Sequence, residues 1–274
     1  MERTARGLTA REVEQCRYDG SRLLLRGPRR DLDDAFVACL GGTDTFARFI
    51  TQPYPDLLET ALGQTCVNFG WPNAGIDVFR GDPALIDCAS RARVCVLQVP
   101  NAINMTNLYY RVHTRRNDRV LEETGAMRAL FPDVDFTPFS FTRHMLTRLR
   151  TAYPEAFGYL QKELASVWVA GMQELVQQID APVVLLWLSM RRPEDQPGVP
   201  DLSADPAMVN RAMLDALKPQ IHCLTEVLIT PEARGVDAEI IDAPPSTAEA
   251  TLSAQAHADT ARALAPIVTR LLAK

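Results

Sequence analysis

Four short apolar runs constrain this chain more than any other feature. They are "AFVACLGG" (35–42), "TCVNFG" (65–70), "RVCVLQV" (93–99) and "APVVLLWLS" (181–189). Their apolar character is continuous rather than alternating. A strand needs that when both of its faces are covered, as in a parallel sheet. Helical stretches separate the runs. "YPDLLETALG" carries Leu57, Leu58, Ala61 and Leu62 on one stripe, with Gly63 as the stop. "DPALIDCASRA" opens with Asp82 as an N-cap and Pro83 at the first helical position. Strand, helix, strand, helix, strand is the signature of an α/β fold, a three-layer doubly wound sheet of mainly parallel strands of the flavodoxin-like type.

After the third run comes an excursion rich in Arg and Phe, residues 101–153, expected to form a helical cap or lid. An amphipathic helix follows from Pro154 to about Ile179, with Phe157, Leu160, Leu164, Val167 and Trp168 at helical spacing. Residues 191–206 read as a Pro/Asp-rich loop, and 252–272 as a closing amphipathic helix. A length of 274 residues allows one large domain or two small ones. With no internal repeat and no low-complexity linker, 1–274 reads as one domain.

Composition removes several classes. No run reaches the length of a membrane span, so none is expected. The first twenty residues are charged and lack an apolar core, which argues against a secretory signal and for a cytoplasmic protein. Cys39, Cys66 and Cys95 sit inside apolar runs as small hydrophobes. No CxxC occurs and no Cys stands at ligand spacing from a His, so no metal is expected. The net charge is −5, and every basic residue except Lys162, Lys218 and Lys274 is arginine. No basic block argues for nucleic acid. A full Gly-x-x-x-x-Gly-Lys-[Ser/Thr] loop is also missing. No cofactor is expected, and the partner is a small-molecule or carbohydrate substrate.

The chemistry should gather at the strand ends, because ligands of open parallel sheets bind beyond the carboxyl edge. The first run ends in Gly41, Gly42, Thr43, Asp44 and Thr45; the second leads to Asn73 and Gly75; the third to Asn101, Asn104 and Asn107. A hydroxyl, backbone N–H groups and amides brought together suit acyl transfer. His257, at the start of the last helix, is the candidate base. His144 and His222 have no nucleophile near them in sequence. "YYRVHTRRNDR" places His113, Arg115 and Arg116 after the third run, where guanidinium groups could anchor an anionic substrate.

These blocks, in this order, resemble the SGNH (GDSL-type) hydrolase superfamily of esterases and acyltransferases. "GGT" with Thr43 stands where that family has Gly-Asp-Ser, "NFGWPNAG" supplies Gly75 (or Gly70) for the oxyanion, Asn104 lies near the third-block asparagine, and "AQAH" places His257 before the last helix. More specifically, the chain resembles an uncharacterised bacterial family with "LGGT", "NFG..NAG" and "HTRRNDR"-like stretches. Three departures stand out: threonine replaces serine, Ala254 replaces the aspartate three before the histidine, and Asn101 replaces the third-block glycine. A backbone carbonyl, Asp259 or Asp242 would then orient the imidazole.

The resemblance implies an esterase or O-acyltransferase acting on an acylated substrate, anionic or carbohydrate. Its catalytic set would be Thr43 as nucleophile, His257 as base, and Gly42, Gly75 and Asn104 as oxyanion donors. Asn73, Asn101, Arg115, Arg116 and His113 would bind substrate. Two alternatives stand beside it: a sulfotransferase-like enzyme using a phosphorylated nucleotide donor, and a catalytically inactive SGNH-like binding protein.

Overall fold

The computed structural model describes residues 13–195, 202–230 and 251–273. A short antiparallel ribbon, β1 (Gln15–Cys16) and β2 (Leu25–Arg26), leads into the first apolar run. The runs become β3 (Val37–Gly41), β4 (Cys66–Gly70), β5 (Val94–Gln98) and β8 (Val183–Ser189), and every residue in them is buried. A fifth strand, β9 (Cys223–Leu228), completes the main sheet. Its spatial order is β4-β3-β5-β8-β9, with all neighbours parallel. Counted by chain order within this sheet, that is the flavodoxin-like order 2-1-3-4-5 of doubly wound α/β proteins.

Each central strand divides its side chains between two cores, because successive residues point to opposite faces. Val37, Cys39, Val94, Val96, Val184 and Leu186 face α2 (Tyr54–Leu62) and the final helix α9 (Ala254–Leu272). Ala38, Leu40, Cys95, Leu97, Leu185 and Trp187 face the opposite side. That side is covered by α3 (Ile76–Arg80), α4 (Pro83–Ser90) and α7 (Pro154–Gln177). The Asp82 side chain caps α4 by accepting from Leu85 N at 3.1 Å. In α7, Trp168 is fully buried and donates its Nε1–H to Pro100 O at 3.0 Å, tying the helix to the chain leaving β5.

The excursion after β5, residues 101–153, is helical over only about a third of its length and also carries a hairpin, where a helical cap was expected. It contains an antiparallel hairpin, β6 (Tyr110–His113) and β7 (Arg116–Glu123), then α5 (Gly125–Leu130) and α6 (Thr142–Ala152). The hairpin forms because Tyr110 and Val112 alternate inward while Arg111 and Glu122 pair outside at 3.2 Å. The Tyr110 hydroxyl donates to Ile103 O at 2.8 Å, which fixes the hairpin against the β5 exit. Between β8 and β9 lies α8 (Arg211–Asp215).

Candidate functional site

In an open sheet of this order, chain connections leave β3 in one direction and β5 in the other, and the gap between them is where ligands bind. A cavity of about 700 Å3 lies there, a size that suits a small ligand. The β3–α1 turn contributes Gly42, Thr43 and Asp44, where α1 is the single turn Thr43–Phe46. Asn73 and Ala74 come from the β4–α3 loop, and Gln98, Asn101 and Asn104 from the end of β5 and beyond. The excursion supplies Asp118, Phe141, Thr142, Arg143 and His144, and the β8–α8 connection Asp205 and Pro206. Among the predicted site residues, Gly42, Thr43, Asn73, Asn101 and Asn104 border this space.

Thr43 is exposed at the head of α1. Its hydroxyl donates to Asn73 Oδ1 at 3.1 Å and accepts from Asn73 N at 3.0 Å, closing a two-bond ring between the first and second strand ends. Asn73 reaches this position in the left-handed region, at φ 56°, which asparagine tolerates better than most residues. Its Nδ2 donates onward to Asp118 Oδ2 at 3.3 Å. Beneath the turn, Gln98 Oε1 accepts from Gly42 N at 3.1 Å and from the Thr45 hydroxyl at 2.7 Å, and Gln98 Nε2 donates to Asp44 Oδ2 at 3.2 Å. A Cβ at residue 41 would overlap the Thr45 hydroxyl and the Gln98 side chain, which is why the strand must end in glycine there.

The far side of the turn is clamped by a buried arginine. Arg26 Nη1 donates to Phe46 O and Ala47 O at 3.1 and 2.6 Å, and Nη2 donates to Ile50 O and Thr51 O at 2.8 and 3.3 Å. Four carbonyls bound to one guanidinium hold the chain that follows α1, using the fixed fork of donors that lysine lacks.

Asn104 is buried and borders the cavity, with its Oδ1 accepting from the Thr142 hydroxyl at 2.8 Å. With the amide oxygen engaged, the group it can offer a ligand is the NH2. Gly75 sits behind it, so close to the Asn104 carbonyl that a Cβ there would collide with it. The Gly75 N–H donates to Asn117 Oδ1 at 3.0 Å, and Val78 N donates to the same oxygen at 3.1 Å. Asn117 Nδ2 donates back to His113 O at 2.9 Å. The fully buried Asn117 thus caps α3 from the hairpin, in place of a side chain from α3's own N-cap.

The other predicted residues lie elsewhere. His257 is 1 % exposed on the buried face of α9 and is not part of the cavity wall. Its Nδ1 accepts from Tyr54 N at 3.1 Å, and the ring stacks on Tyr54 at 6.3 Å between centroids. Burial, with the Arg26 charge adding to it, drives its pKa down to about 4, so the imidazole is neutral. It does not meet Thr43, whose hydroxyl bonds Asn73. Asp259 pairs with Gln255 and Arg262 on the helix surface, and Asp242 lies outside the described residues. Arg115 and Arg116 are exposed at the hairpin tip and do not line the cavity. His113 Nδ1 accepts from Arg115 N and Arg116 N, both at 3.2 Å, and so closes the hairpin turn; the residue does not line the cavity. The N–H groups expected to bind an oxyanion, those of Gly42 and Gly75, are engaged by Gln98 and Asn117.

The cavity also gathers Asp44, named above only as part of the first strand end, His144, set aside above as a base, and four residues that the sequence did not single out: Gln98, Asp118, Arg143 and Asp205. Arg143 Nη2 donates to Asp205 Oδ1 at 2.5 Å. Carboxylates therefore outnumber cations along the wall. Among the described residues no group of three or more His, Cys, Asp or Glu is placed to hold a metal ion. No helix among them is long and apolar enough to cross a membrane.

Comparison with solved structures finds similarity to the "putative lipolytic protein of G-D-S-L family" from Desulfitobacterium hafniense DCB-2, at 11 % identity and a TM-score of 0.43, covering 87 % of this chain and 99 % of that one. Comparison with curated proteins finds no match. The model of one family, described as a domain of unknown function, DUF6473, matches residues 1–272. The chain belongs to the DUF6473 family.

Proposed function

We propose that this chain is an esterase or O-acyltransferase whose reaction takes place in the cavity between the ends of β3 and β5. The observation that carries the reading is the Thr43 hydroxyl, exposed at the head of a helical turn on the wall of that cavity. In this reading Thr43 Oγ1 attacks the acyl carbon. The oxyanion takes the Asn104 NH2 and the N–H groups of the first turn of α1, which have no intrahelical acceptor. Amide and carboxylate side chains around the cavity, with the exposed ring of Phe141, suit a hydroxylated carrier of the acyl group, such as a carbohydrate. An anionic substrate finds little support: the hairpin arginines lie off the cavity, and Arg143 is already paired with Asp205. The same displacement weakens the case for a phosphorylated nucleotide donor.

A second reading, a binding protein without turnover, is favoured by one specific arrangement. The Thr43 hydroxyl is closed on Asn73, and both glycine N–H groups are occupied. Hydrolysis of p-nitrophenyl acetate and butyrate by the wild-type chain and by Thr43→Ala separates the two. Turnover lost on Thr43→Ala supports acyl transfer. A wild-type chain that releases no nitrophenol favours the binding protein.

A further inference from the structure

A nucleophilic threonine needs a proton acceptor, and Asn73, its present partner, is an amide that cannot serve. We propose that His144 is that acceptor, an assignment that rests on the acyl-transfer reading above. The chain has four histidines. His257 is buried and bonded to Tyr54 N, His113 is bonded to two backbone N–H groups, and His222 lies at the start of β9, at the amino edge of the sheet. His144 alone among them borders the cavity that Thr43 borders.

A set of contacts leads from Thr43 to Thr142, two residues before His144 on α6. Thr43 bonds Asn73, and Asn73 Nδ2 donates to Asp118 Oδ2. The Thr142 hydroxyl donates to Asn104 Oδ1 at 2.8 Å and approaches Asp118 O at 3.4 Å. The first turn of α6 is thereby stitched to the oxyanion amide and, through two side chains, to the nucleophile. His144 and Thr147, three residues apart on one helical face, both turn to the cavity. Phe139 packs against the imidazole in a T-shaped arrangement, at 5.2 Å between centroids and 69° between planes. The charged groups that share the wall with it are Asp44, Asp118, Arg143 and Asp205.

The step is an ordinary acyl transfer. As Thr43 Oγ1 bonds to the acyl carbon, its proton passes to an imidazole nitrogen of His144 and the carbonyl electron pair moves to oxygen. Collapse of the oxyanion breaks the bond to the leaving oxygen, which takes the proton from the imidazolium. Water, or an acceptor hydroxyl, then gives its proton to His144 and attacks the acyl-Thr43 ester, which releases the acyl product and returns the proton to Thr43.

The test compares wild type, Thr43→Ala, His144→Gln and a control, His222→Gln, on p-nitrophenyl acetate across pH 5–9, with circular dichroism confirming that each variant is folded. A positioned base contributes about 10²–10⁴-fold. His144→Gln is expected to lose kcat/KM on that scale and to lose the acidic limb of the wild-type profile, while His222→Gln keeps both. If Thr43→Ala is inactive but His144→Gln retains its rate and its acidic limb, the assignment of His144 is overturned and acyl transfer stands. If the wild-type chain is inactive, or Thr43→Ala is not impaired, acyl transfer fails and the assignment fails with it.

Discussion

Asn117→Ala probes the contact on which the cavity wall depends. The side chain is completely buried and makes three bonds: Oδ1 accepts from Gly75 N and Val78 N at 3.0 and 3.1 Å, and Nδ2 donates to His113 O at 2.9 Å. Truncation leaves two buried N–H groups at the start of α3 and one carbonyl of the hairpin without partners. A stranded buried polar group costs about 1–3 kcal/mol, and the three are neighbours whose losses overlap. The expected destabilisation is ~2–5 kcal/mol. In a domain of this size that lowers Tm by roughly 5–15 °C. Differential scanning calorimetry reads it directly, with Arg116→Ala on the same hairpin as a control expected within about 0.5 kcal/mol of wild type. A Tm for Asn117→Ala within about 2 °C of wild type, on the same scale, would refute the claim that the hairpin caps α3.

Other perturbations test neighbouring parts of the account. His257 has a folded pKa of about 4 against an ordinary 6.5. The unfolded chain therefore takes up a proton first as pH falls, and up to ~3 kcal/mol of stability drains away between about pH 6.5 and 4; urea titrations of His257→Gln should show a shallower decline across that window. The same variant should keep its ester turnover, because the ring lies off the cavity; a turnover loss in a folded His257→Gln chain would return that residue to the mechanism. Gly75→Ala forces a Cβ into the Asn104 carbonyl and should abolish soluble expression or lower Tm by more than Asn117→Ala does. Arg115→Ala and Arg116→Ala should leave KM for an ester substrate unchanged, and a rise in KM would place the hairpin tip at the substrate.

Much of the fold could be read directly from the chain. The four central strands are continuous apolar runs because both of their faces are covered, and Asp82 and Pro83 announce α4. The strand β9 escaped because, as an edge strand, it buries only part of its surface: Thr225 and Val227 are buried between more exposed neighbours. The hairpin escaped because its inward residues, Tyr110 and Val112, are outnumbered by arginines and acids on the outer face.

The site was legible in part for the same reason. Strand ends and the residues just past them place Thr43, Asn73, Asn101 and Asn104 at the switch point, since topology alone determines where those ends meet. Which way a side chain turns is a tertiary matter. His257 stands at the expected place in sequence, yet it continues the buried stripe Thr260, Ala261, Leu264, Val268 and Leu271, a periodicity that was available and pointed inward. Gln98 and Asn117 could not be recognised locally, because their partners lie 56 and 42 residues away. His144 and Arg143 reach the cavity only because the excursion folds back over the sheet.

The most direct measurement is to treat the protein with diisopropyl fluorophosphate, which stops at a covalent adduct on an activated hydroxyl, and to locate the adduct by peptide mass spectrometry. The account predicts one modification, on Thr43, absent from Thr43→Ala. An unmodified chain, or an adduct on a residue outside the cavity, would contradict it.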